Sequence, residues 1–276
     1  MRRNVNIMNT MHRVLIMNIA ALLGATAVPA QDWVKARLEK SPRHLEWVKV
    51  KQGKREVNSF LAFPEVNDKA TAVVVIHEIF GLTDWVRRVA DQLAEAGYVA
   101  VAPDLLSGTG PNGGGTSELG GADAVRKAIS SLPPDQITAD LNAVVEYVSK
   151  LPACNGKVVV AGFCWGGSQS FRFATNNKDI RAALVFYGTG PVEEREIARI
   201  DCPVYGFYGG NDARVTSTVS DSANIMKKAS KTYEPVTYEG AGHGFMRAGE
   251  APDASEANKR AHDQAWKRWK ELLKRL

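Results

Sequence analysis

Cysteine is scarce in this sequence, at 3 residues in 276, and the chain shows no composition bias toward disorder or collagen-like repeats. Three cysteines cannot build a disulfide-stabilised scaffold. Hydrophobic residues make up 45% of the chain and charged residues 24%, which is typical of a globular protein. The length suits one large α/β domain or two small ones.

Acidic residues are absent from the first thirty positions, where Arg2, Arg3 and Arg13 stand. The formal net charge of the whole chain is +5, and it falls to +2 when these three arginines are left out. A balance this close to neutral gives no reason to expect nucleic acid as a partner.

The N-terminus has the pattern of an export signal. An apolar run over 14–28 follows Arg13, and the small residues of Val28-Pro29-Ala30 precede Gln31. This pattern predicts a signal peptide over 1–30 and a mature protein over 31–276. The alternative is a membrane anchor, but the run is shorter than the roughly 20 residues that span a bilayer. We expect a periplasmic or secreted protein, free of the membrane after cleavage.

Export would place the cysteines in an oxidising compartment. Cys164 belongs to a motif described below, which leaves Cys154 and Cys202 as a possible pair. Both precede predicted strands at one edge of the sheet, with one strand expected between them. A bridge needs Cα atoms within about 7 Å. Both a disulfide and two buried, inert thiols remain open.

Strand-like and helix-like segments alternate along most of the chain, and some strands are continuous apolar runs, as expected in a buried parallel sheet. The predicted strands cover 45–51, 57–63, 72–77, 98–102, 157–161, 182–187, 204–208 and 235–238. The predicted helices cover 84–97, 135–151, 166–175, 216–230 and 254–276. Early strands without a helix between them, followed by β-α-β alternation, predict one domain with a mostly parallel sheet and an antiparallel start.

Three local patterns refine this outline. Gly97 fits the position just past a helix end, and Asp135, after two prolines, fits a helix N-cap. The glycine-rich segment 109–121 lacks the ending of a phosphate-binding loop, so we expect a mobile loop near a binding face. The last helix has apolar residues at helical spacing opposite Lys and Arg, which favours packing on the sheet over membrane binding.

A strand that ends in a glycine-flanked cysteine carries the first chemical motif. The predicted strand 157–161 runs into Gly162-Phe163-Cys164-Trp165-Gly166-Gly167 and then into a helix. This is a nucleophile elbow with Cys where Ser is commoner, because glycines leave room for the sharp turn. The N-terminus of the following helix favours the thiolate of Cys164.

Two more strand ends carry the residues that such a nucleophile needs. The strand 204–208 is followed by Asp212, and the strand 235–238 is followed by His243 in a glycine-rich loop. Parallel strands bring their carboxyl ends to one side of the sheet, so Cys164, Asp212 and His243 can converge. Nucleophile, acid and then His is the chain order of α/β-hydrolases. His77, also at a strand end, competes as the base, whereas His262 lies on a helix without such a context.

The chain resembles the dienelactone hydrolase family over about residues 47–276. The shared segments are His77-Glu78-Ile79-Phe80-Gly81-Leu82, Ala102-Pro103-Asp104-Leu105, Gly162-Phe163-Cys164-Trp165-Gly166-Gly167, Gly209-Gly210-Asn211-Asp212 and Gly242-His243-Gly244-Phe245. The resemblance implies an α/β-hydrolase fold, with about eight mostly parallel strands and helices on both faces. It also implies hydrolysis of esters or lactones without a cofactor or metal.

The same resemblance implies roles for individual residues. Cys164, Asp212 and His243 would form the catalytic triad, and Glu78 would meet the resting thiol and swing away when substrate binds. Arg247 matches an arginine that binds a substrate carboxylate. The family's second substrate arginine is missing, because Leu106-Ser107-Gly108 follows Asp104-Leu105, so the natural substrate is left open.

The fold also predicts an oxyanion hole made by the backbone N–H groups of Ile79 and Trp165.

The sequence leaves three functions as alternatives: a hydrolase of small esters or lactones, a redox-active thiol protein, and a non-catalytic exported binding protein. The redox function needs a resolving cysteine, and neither Cys154 nor Cys202 lies at the carboxyl end of a strand. The expected partner is a small ester or lactone and not nucleic acid, in a monomer or a small homo-oligomer.

Overall fold

The computed structural model describes residues 32–276, so the predicted signal peptide over 1–30 lies outside the described residues. The strands are β1 Leu45–Gln52, β2 Arg55–Ala62, β3 Ala70–Ile76, β4 Val99–Pro103, β5 Cys154–Phe163, β6 Ala183–Phe186, β7 Val204–Gly209 and β8 Tyr233–Tyr238. The α-helices are α1 Asp32–Glu39, α2 Asp84–Glu95, α3 Ala122–Ser130, α4 Pro134–Ser149, α5 Trp165–Ala174, α6 Glu194–Ile197, α7 Ala213–Thr216, α8 Val219–Lys228, α9 Phe245–Ala248 and α10 Glu256–Arg275.

All eight predicted strands join one sheet in the order β1-β2-β4-β3-β5-β6-β7-β8. The pairs β1–β2 and β2–β4 are antiparallel, and every later pair is parallel. The hairpin between β1 and β2 turns at Gly53, whose φ of +60° suits glycine. The prediction of a mostly parallel sheet with an antiparallel start is therefore confirmed.

Helices cover both faces of the sheet, as predicted. On β3, Val73 and Val75 contribute to the apolar core that contains residues of α1, α2 and α10. Val74 and Ile76, on the other face of the same strand, contribute to the core that contains residues of α4, α5 and α8. Because successive strand residues point to opposite faces, a continuous apolar run supplies both cores.

The helices differ from the sequence-based expectation at α4 and in the segment 213–228, and α1, α3, α6 and α9 lie outside the predicted helices. Asp135 is not the N-cap of α4; Pro133 is the cap residue and Pro134 is the first helical residue. Proline suits that first position because its missing N–H would have no helical partner there. The predicted helix 216–230 is replaced by α7 and α8 with a break between them. Gly97 does lie just past α2, with a φ of +95°.

The last helix packs on the sheet as predicted, with Ala265, Trp269 and Leu272 buried in the core. Its N-cap is Ser255, whose hydroxyl accepts a hydrogen bond from the N–H of Asn258 at 3.3 Å. Within residues 32–276, no helix combines the length and apolar character needed to cross a bilayer.

All three cysteines are free thiols. Cys154 begins β5 and Cys202 precedes β7, and β6 lies between these two strands. Burial raises the pKa of Cys202 to about 11, so this thiol stays protonated at neutral pH. Cys154 is 3% exposed. Of the two alternatives that the sequence left open, the structure therefore contains two separate thiols and not a disulfide.

Candidate active site

Cys164 stands at the sharp turn between β5 and α5, with φ of 54° and ψ of −117°. Positive φ is strained for any residue with a Cβ atom, and such strain is concentrated at functional sites. Two backbone hydrogen bonds fix the turn: the Cys164 N–H donates to the Phe186 carbonyl at 3.0 Å, and the Cys164 carbonyl accepts from Ser168 at 3.2 Å. The thiol remains partly exposed.

The glycines of this motif are required by close approach. A Cβ atom on Gly162 would overlap the carbonyl oxygen of Gly166, and one on Gly166 would overlap the carbonyl oxygen of His77. Larger residues at either position would push the turn out of shape. The local sequence therefore forces the sulfur of Cys164 above the end of the sheet, as the elbow motif predicts.

His243 and Asp212 meet across the loops that follow β8 and β7. The His243 Nδ1 lies 2.5 Å from Asp212 Oδ2, and the Asp212 carboxylate is buried. The two loops are joined by backbone hydrogen bonds, from Gly210 to the Tyr238 carbonyl and from Asn211 to the Ala241 carbonyl, both at 2.8 Å. The acid is thus held in place to orient the imidazole.

The electrostatics of His243 follow from these neighbours. Burial lowers the pKa of His243, but hydrogen bonding and electrostatic interaction with the neighbouring side chains of Cys164 and Asp212 outweigh burial. The net effect raises the pKa of His243 above its ordinary value. The imidazole is therefore poised to hold a proton beside the sulfur.

Every predicted site residue except Asp212 lines one cavity of about 470 Å³. The predicted residues that line it are Glu78, Ile79, Cys164, Trp165, His243 and Arg247. Two surface clefts of similar size, about 500 and 550 Å³, contain none of them. The cavity at the carboxyl ends of the parallel strands is where this kind of sheet binds ligands.

Glu78 is paired with Arg247 inside this cavity. The Arg247 Nε donates to Glu78 Oε2 at 2.9 Å, and Glu78 is 2% exposed. Burial raises the pKa of Glu78, while the charge and hydrogen bond of Arg247 oppose that shift without cancelling it. Among the described residues no hydrogen bond joins Glu78 to the Cys164 thiol, so the resting contact implied by the resemblance is replaced here by a charge-assisted bond to Arg247.

The two residues that carry the predicted oxyanion donors pack against the same apolar cluster. The side chains of Ile79 and Trp165 pack against a small apolar cluster formed by Leu106, Val125 and Ile129. Within residues 32–276, the backbone N–H groups of Ile79 and Trp165 have no hydrogen-bond acceptor. Free N–H groups beside a nucleophile can stabilise a negatively charged oxygen.

His77 does not compete with His243 for the role of base. Its side chain is fully buried, its Nδ1 lies 2.8 Å from the Glu78 carbonyl, and its ring stacks on Trp165 at 5.4 Å. Burial lowers the pKa of His77. His262 lies on α10, in a cleft away from the cavity. Among the histidines of residues 32–276, only His243 combines access to the cavity with a buried carboxylate partner.

The profile of one protein family matches most of the chain, and its description is the dienelactone hydrolase family, over residues 57–276. The chain belongs to this family. It is therefore a hydrolase of carboxylic esters, similar to dienelactone hydrolases, with the α/β-hydrolase fold. The family assignment and the fold expected from the sequence are both confirmed.

Individual relatives support the assignment. A predicted carboxymethylenebutenolidase of Saccharolobus solfataricus is 31% identical over 254 residues, which cover 80% of this chain and 95% of that protein. Another from Salmonella typhimurium is 30% identical over 202 residues, or 69% of this chain and 73% of that protein. The crystal structure of a predicted dienelactone hydrolase from Klebsiella pneumoniae superimposes with a TM-score of 0.73 at 25% identity, covering 85% of this chain and 99% of that one.

Several residues of this family member's cavity were not anticipated from the sequence. Tyr187, at the end of β6, has a φ of 42° and packs its ring edge-on against His243 at 5.1 Å. Its buried hydroxyl has no described partner, and burial raises the pKa of Tyr187 well above its ordinary value. Arg214 lines the same cavity. Their positions just after strands were the available signal, but no motif distinguished them.

The glycine-rich segment 109–121 is tied to the site through Thr116. The Thr116 N–H and hydroxyl both donate to the Asp104 carboxylate, at 2.7 and 2.8 Å. The hydroxyl of Thr116 also accepts a hydrogen bond from the N–H of Leu82 at 3.0 Å. A Cβ atom on Gly81 would overlap Thr116, so that glycine is required for the contact. The segment therefore lies beside the strand end that carries Ile79, as a loop near the binding face should.

The chemical resources of the hydrolase's cavity are a thiol, an imidazole with a carboxylate behind it, two free N–H groups and an Arg–Glu pair. Within residues 32–276, no group of three His, Cys, Asp or Glu side chains is placed to hold a metal ion. Together these groups suit attack on a carbonyl carbon and stabilisation of the resulting oxyanion.

Proposed function

We propose that this hydrolase cleaves small esters or lactones through a thioester on Cys164, with His243 as the base and Asp212 as its orienting acid. The observation that carries the proposal is the 2.5 Å contact between His243 and Asp212 beside a partly exposed cysteine on a strained turn. Nucleophile, base and orienting acid in this relation are the recurring arrangement of acyl-transfer enzymes.

In the first half of the reaction the Cys164 proton passes to His243, and the thiolate attacks the carbonyl carbon. A C–S bond forms, and the negative charge moves to the carbonyl oxygen, where the N–H groups of Ile79 and Trp165 stabilise it. Losing one such donor typically costs about 2.7–4 kcal/mol of transition-state stabilisation. When the intermediate collapses, the C–O bond breaks and the leaving alcohol takes the proton from His243.

In the second half a water molecule loses a proton to His243 and attacks the thioester. The C–S bond then breaks, the carboxylic acid leaves, and the thiol of Cys164 recovers its proton. The tetrahedral intermediate formed from an amide can expel either the Cys164 thiolate or the amine. Because the thiolate leaves more readily, this intermediate would return to the amide substrate. This favours activated esters and lactones as substrates.

Glu78 and Arg247 complete the proposed machinery. Because the Glu78 carboxylate is buried in the same cavity, we assign it a share in moving the thiol proton when its bond to Arg247 opens. Arg247, which lines the cavity with its guanidinium partly accessible, is the proposed ligand of a substrate carboxylate.

Export of this hydrolase is part of the proposal. The basic residues, the apolar run and the small residues before Gln31 support it. Edman sequencing of the protein recovered from the periplasm or medium of the producing cells tests it. A mature N-terminus near Gln31 is expected, and full-length protein confined to the cytoplasm would exclude export.

The catalytic proposal is tested with a panel of p-nitrophenyl esters and small lactones. We expect turnover that is abolished by iodoacetamide and by Cys164→Ala, with an unchanged circular dichroism spectrum. Reversible inactivation by peroxide without ester turnover would instead indicate a redox protein. Cys202 is poorly suited as the resolving thiol of such a protein, because its raised pKa of about 11 keeps it protonated. Ligand-induced stabilisation without any turnover would indicate a binding protein.

A further inference from the structure

The two arginines that line the cavity differ in their partners. Glu78 is the only acidic side chain that lines it among residues 32–276, and Glu78 is paired with Arg247. The Asp212 carboxylate lies behind His243 and contacts its Nδ1. Among residues 32–276, Arg214 is therefore the cation of the cavity that has no ion-pair partner.

Arg214 lies on α7, two residues after Asp212, and its side chain is exposed at the cavity. No acidic side chain of residues 32–276 lies within salt-bridge distance of it. Exposed arginines that lack a partner are ordinary on a protein surface. This one is unusual because it lines the same cavity as the partly exposed thiol of Cys164.

The backbone of Arg214 is fixed relative to the proposed triad. The N–H groups of Val215 and Thr216 donate to the Asp212 carbonyl at 3.0 and 2.9 Å, and the Val215 side chain is 1% exposed. The turn that presents the Asp212 carboxylate to His243 therefore also fixes the backbone position from which the Arg214 side chain extends. A substrate that reaches the sulfur of Cys164 comes within the field of this cation.

We propose that Arg214 is a specificity residue that binds an anionic group of the substrate, which selects esters or lactones carrying a carboxylate remote from the reacting carbonyl. The inference rests on the proposed hydrolytic function. Arg214 supplies the second cation of the site, from the loop after β7, whereas the loop after β4 offers none in Leu106-Ser107-Gly108. A guanidinium presents paired N–H donors that match a carboxylate, and a neutral substrate gains nothing from them.

A matched pair of substrates measures this directly. Mono-p-nitrophenyl glutarate carries a carboxylate at the end of its acyl chain, and p-nitrophenyl pentanoate is its neutral counterpart. The readout is the ratio of kcat/KM for the anionic ester to kcat/KM for the neutral one. We expect Arg214→Gln to lower this ratio about ten-fold, Arg214→Glu to lower it further and Arg214→Lys to retain part of it, because the exposed side chain acts through a screened charge-assisted bond.

The control is Arg195→Gln, which removes an exposed arginine from α6, away from the cavity residues. Its ratio should equal that of the wild type, and the wild-type ratio should fall as salt is added. If Arg214→Gln keeps the wild-type ratio while both esters are hydrolysed, the assignment of Arg214 is overturned and the hydrolase function stands.

A binding measurement separates the two claims if no ester is hydrolysed. Calorimetry compares monomethyl glutarate with methyl pentanoate on Cys164→Ala and on Cys164→Ala/Arg214→Gln. Weaker binding of the anion alone in the double variant supports the role of Arg214, even though the proposed hydrolysis has then failed. Equal binding of the anion by both variants overturns it.

Discussion

The Arg247 guanidinium holds the Glu78 carboxylate at 2.9 Å in the cavity that contains the partly exposed sulfur of Cys164. This pair joins the loop after β3 to α9, the short helix that follows His243. Glu78 is almost fully buried, so its charge depends on Arg247 for compensation. The pair therefore links two segments of the site, and a single substitution that removes Arg247 would leave the buried Glu78 charge uncompensated.

Removing Arg247 should destabilise the fold more than removing the pair. Arg247→Ala leaves a buried carboxylate without its cation, which we expect to lower the free energy of unfolding by about 2–4 kcal/mol. In the double variant Glu78→Gln/Arg247→Ala no charge is stranded, so part of that loss should return. Urea denaturation of both variants, with Arg195→Ala as the surface control, measures this. A double variant less stable than Arg247→Ala would refute the stranded-charge explanation.

The pH dependence of kcat/KM should report the raised pKa of His243. If the unprotonated imidazole is the base, activity falls with decreasing pH through a pKa above the ordinary value of 6.5. Asp212→Asn removes a charge and a hydrogen bond that raise this pKa, so the acid limb should move to lower pH. We also expect kcat to fall by about 10³-fold or more, because the imidazole loses its orientation.

The control for this profile is Asp179→Asn, which removes the same charge from an exposed carboxylate that lines a different surface cleft. Its acid limb should coincide with that of the wild type. An Asp212→Asn variant whose acid limb stays in place would show that His243 is not the titrating group.

Asp91 should be a main determinant of stability outside the site. Its buried carboxylate accepts hydrogen bonds from Ser41 at 2.6 Å, from Arg43 at 2.6 and 3.0 Å, and from Arg88 at 2.6 Å. Burial raises the pKa of Asp91, but these partners outweigh it and lower the pKa overall. We expect Asp91→Asn to cost about 3 kcal/mol of unfolding free energy at neutral pH.

The sign of the pH effect at Asp91 follows from its lowered pKa. The stabilisation is present above the pKa of an unfolded aspartate, about 4, and is lost as the pH falls through the lower folded value. The difference between wild type and Asp91→Asn in chemical denaturation should therefore shrink below about pH 4. Asp123→Asn, at an exposed ion pair, should change stability by less than about 1 kcal/mol. A constant difference across this range would contradict the assignment.

Thr116 should act as a positioning residue for the oxyanion donor at Ile79. Thr116→Val keeps the shape but removes the acceptor for the Leu82 N–H and the donor to Asp104. We expect kcat to fall about ten-fold with a smaller change in KM, because the loop that carries a transition-state donor loosens. Thr116→Ser should restore kcat, and Ser117→Ala, at the exposed neighbour, should leave it unchanged. A fall in Tm without a change in kcat would assign Thr116 a purely structural role.

The strands were predictable because their signals are local. A run such as Val73-Val74-Val75-Ile76 fills both faces of a buried sheet, and no other element accommodates it so well. The start of α4 is ambiguous in the sequence because two adjacent prolines allow either Pro134 or the following Asp135 to open the helix. The helix α3 has a weak apolar pattern in the sequence, because only Val125 and Ile129 of its nine residues are buried.

The candidate site was predictable where chemistry and backbone geometry coincide. Cys164, Asp212 and His243 each follow a strand within a short glycine-containing motif, and such motifs can be recognised in a sequence. The pairing of Glu78 with Arg247 and the position of Arg214 in the cavity could not be predicted from the sequence, because they depend on distances between loops far apart in the chain. The strain at Tyr187 likewise depends on a backbone angle that its residue type disfavours.

Acid quenching during turnover of p-nitrophenyl acetate, followed by peptide mapping in a mass spectrometer, tests most directly whether the sulfur carries the acyl group. The account predicts one acetyl group on the peptide that contains Cys164, removable by hydroxylamine and absent from the Cys164→Ala protein. An acetyl group on a different residue, with the Cys164 peptide unmodified while p-nitrophenol is still released, would contradict it.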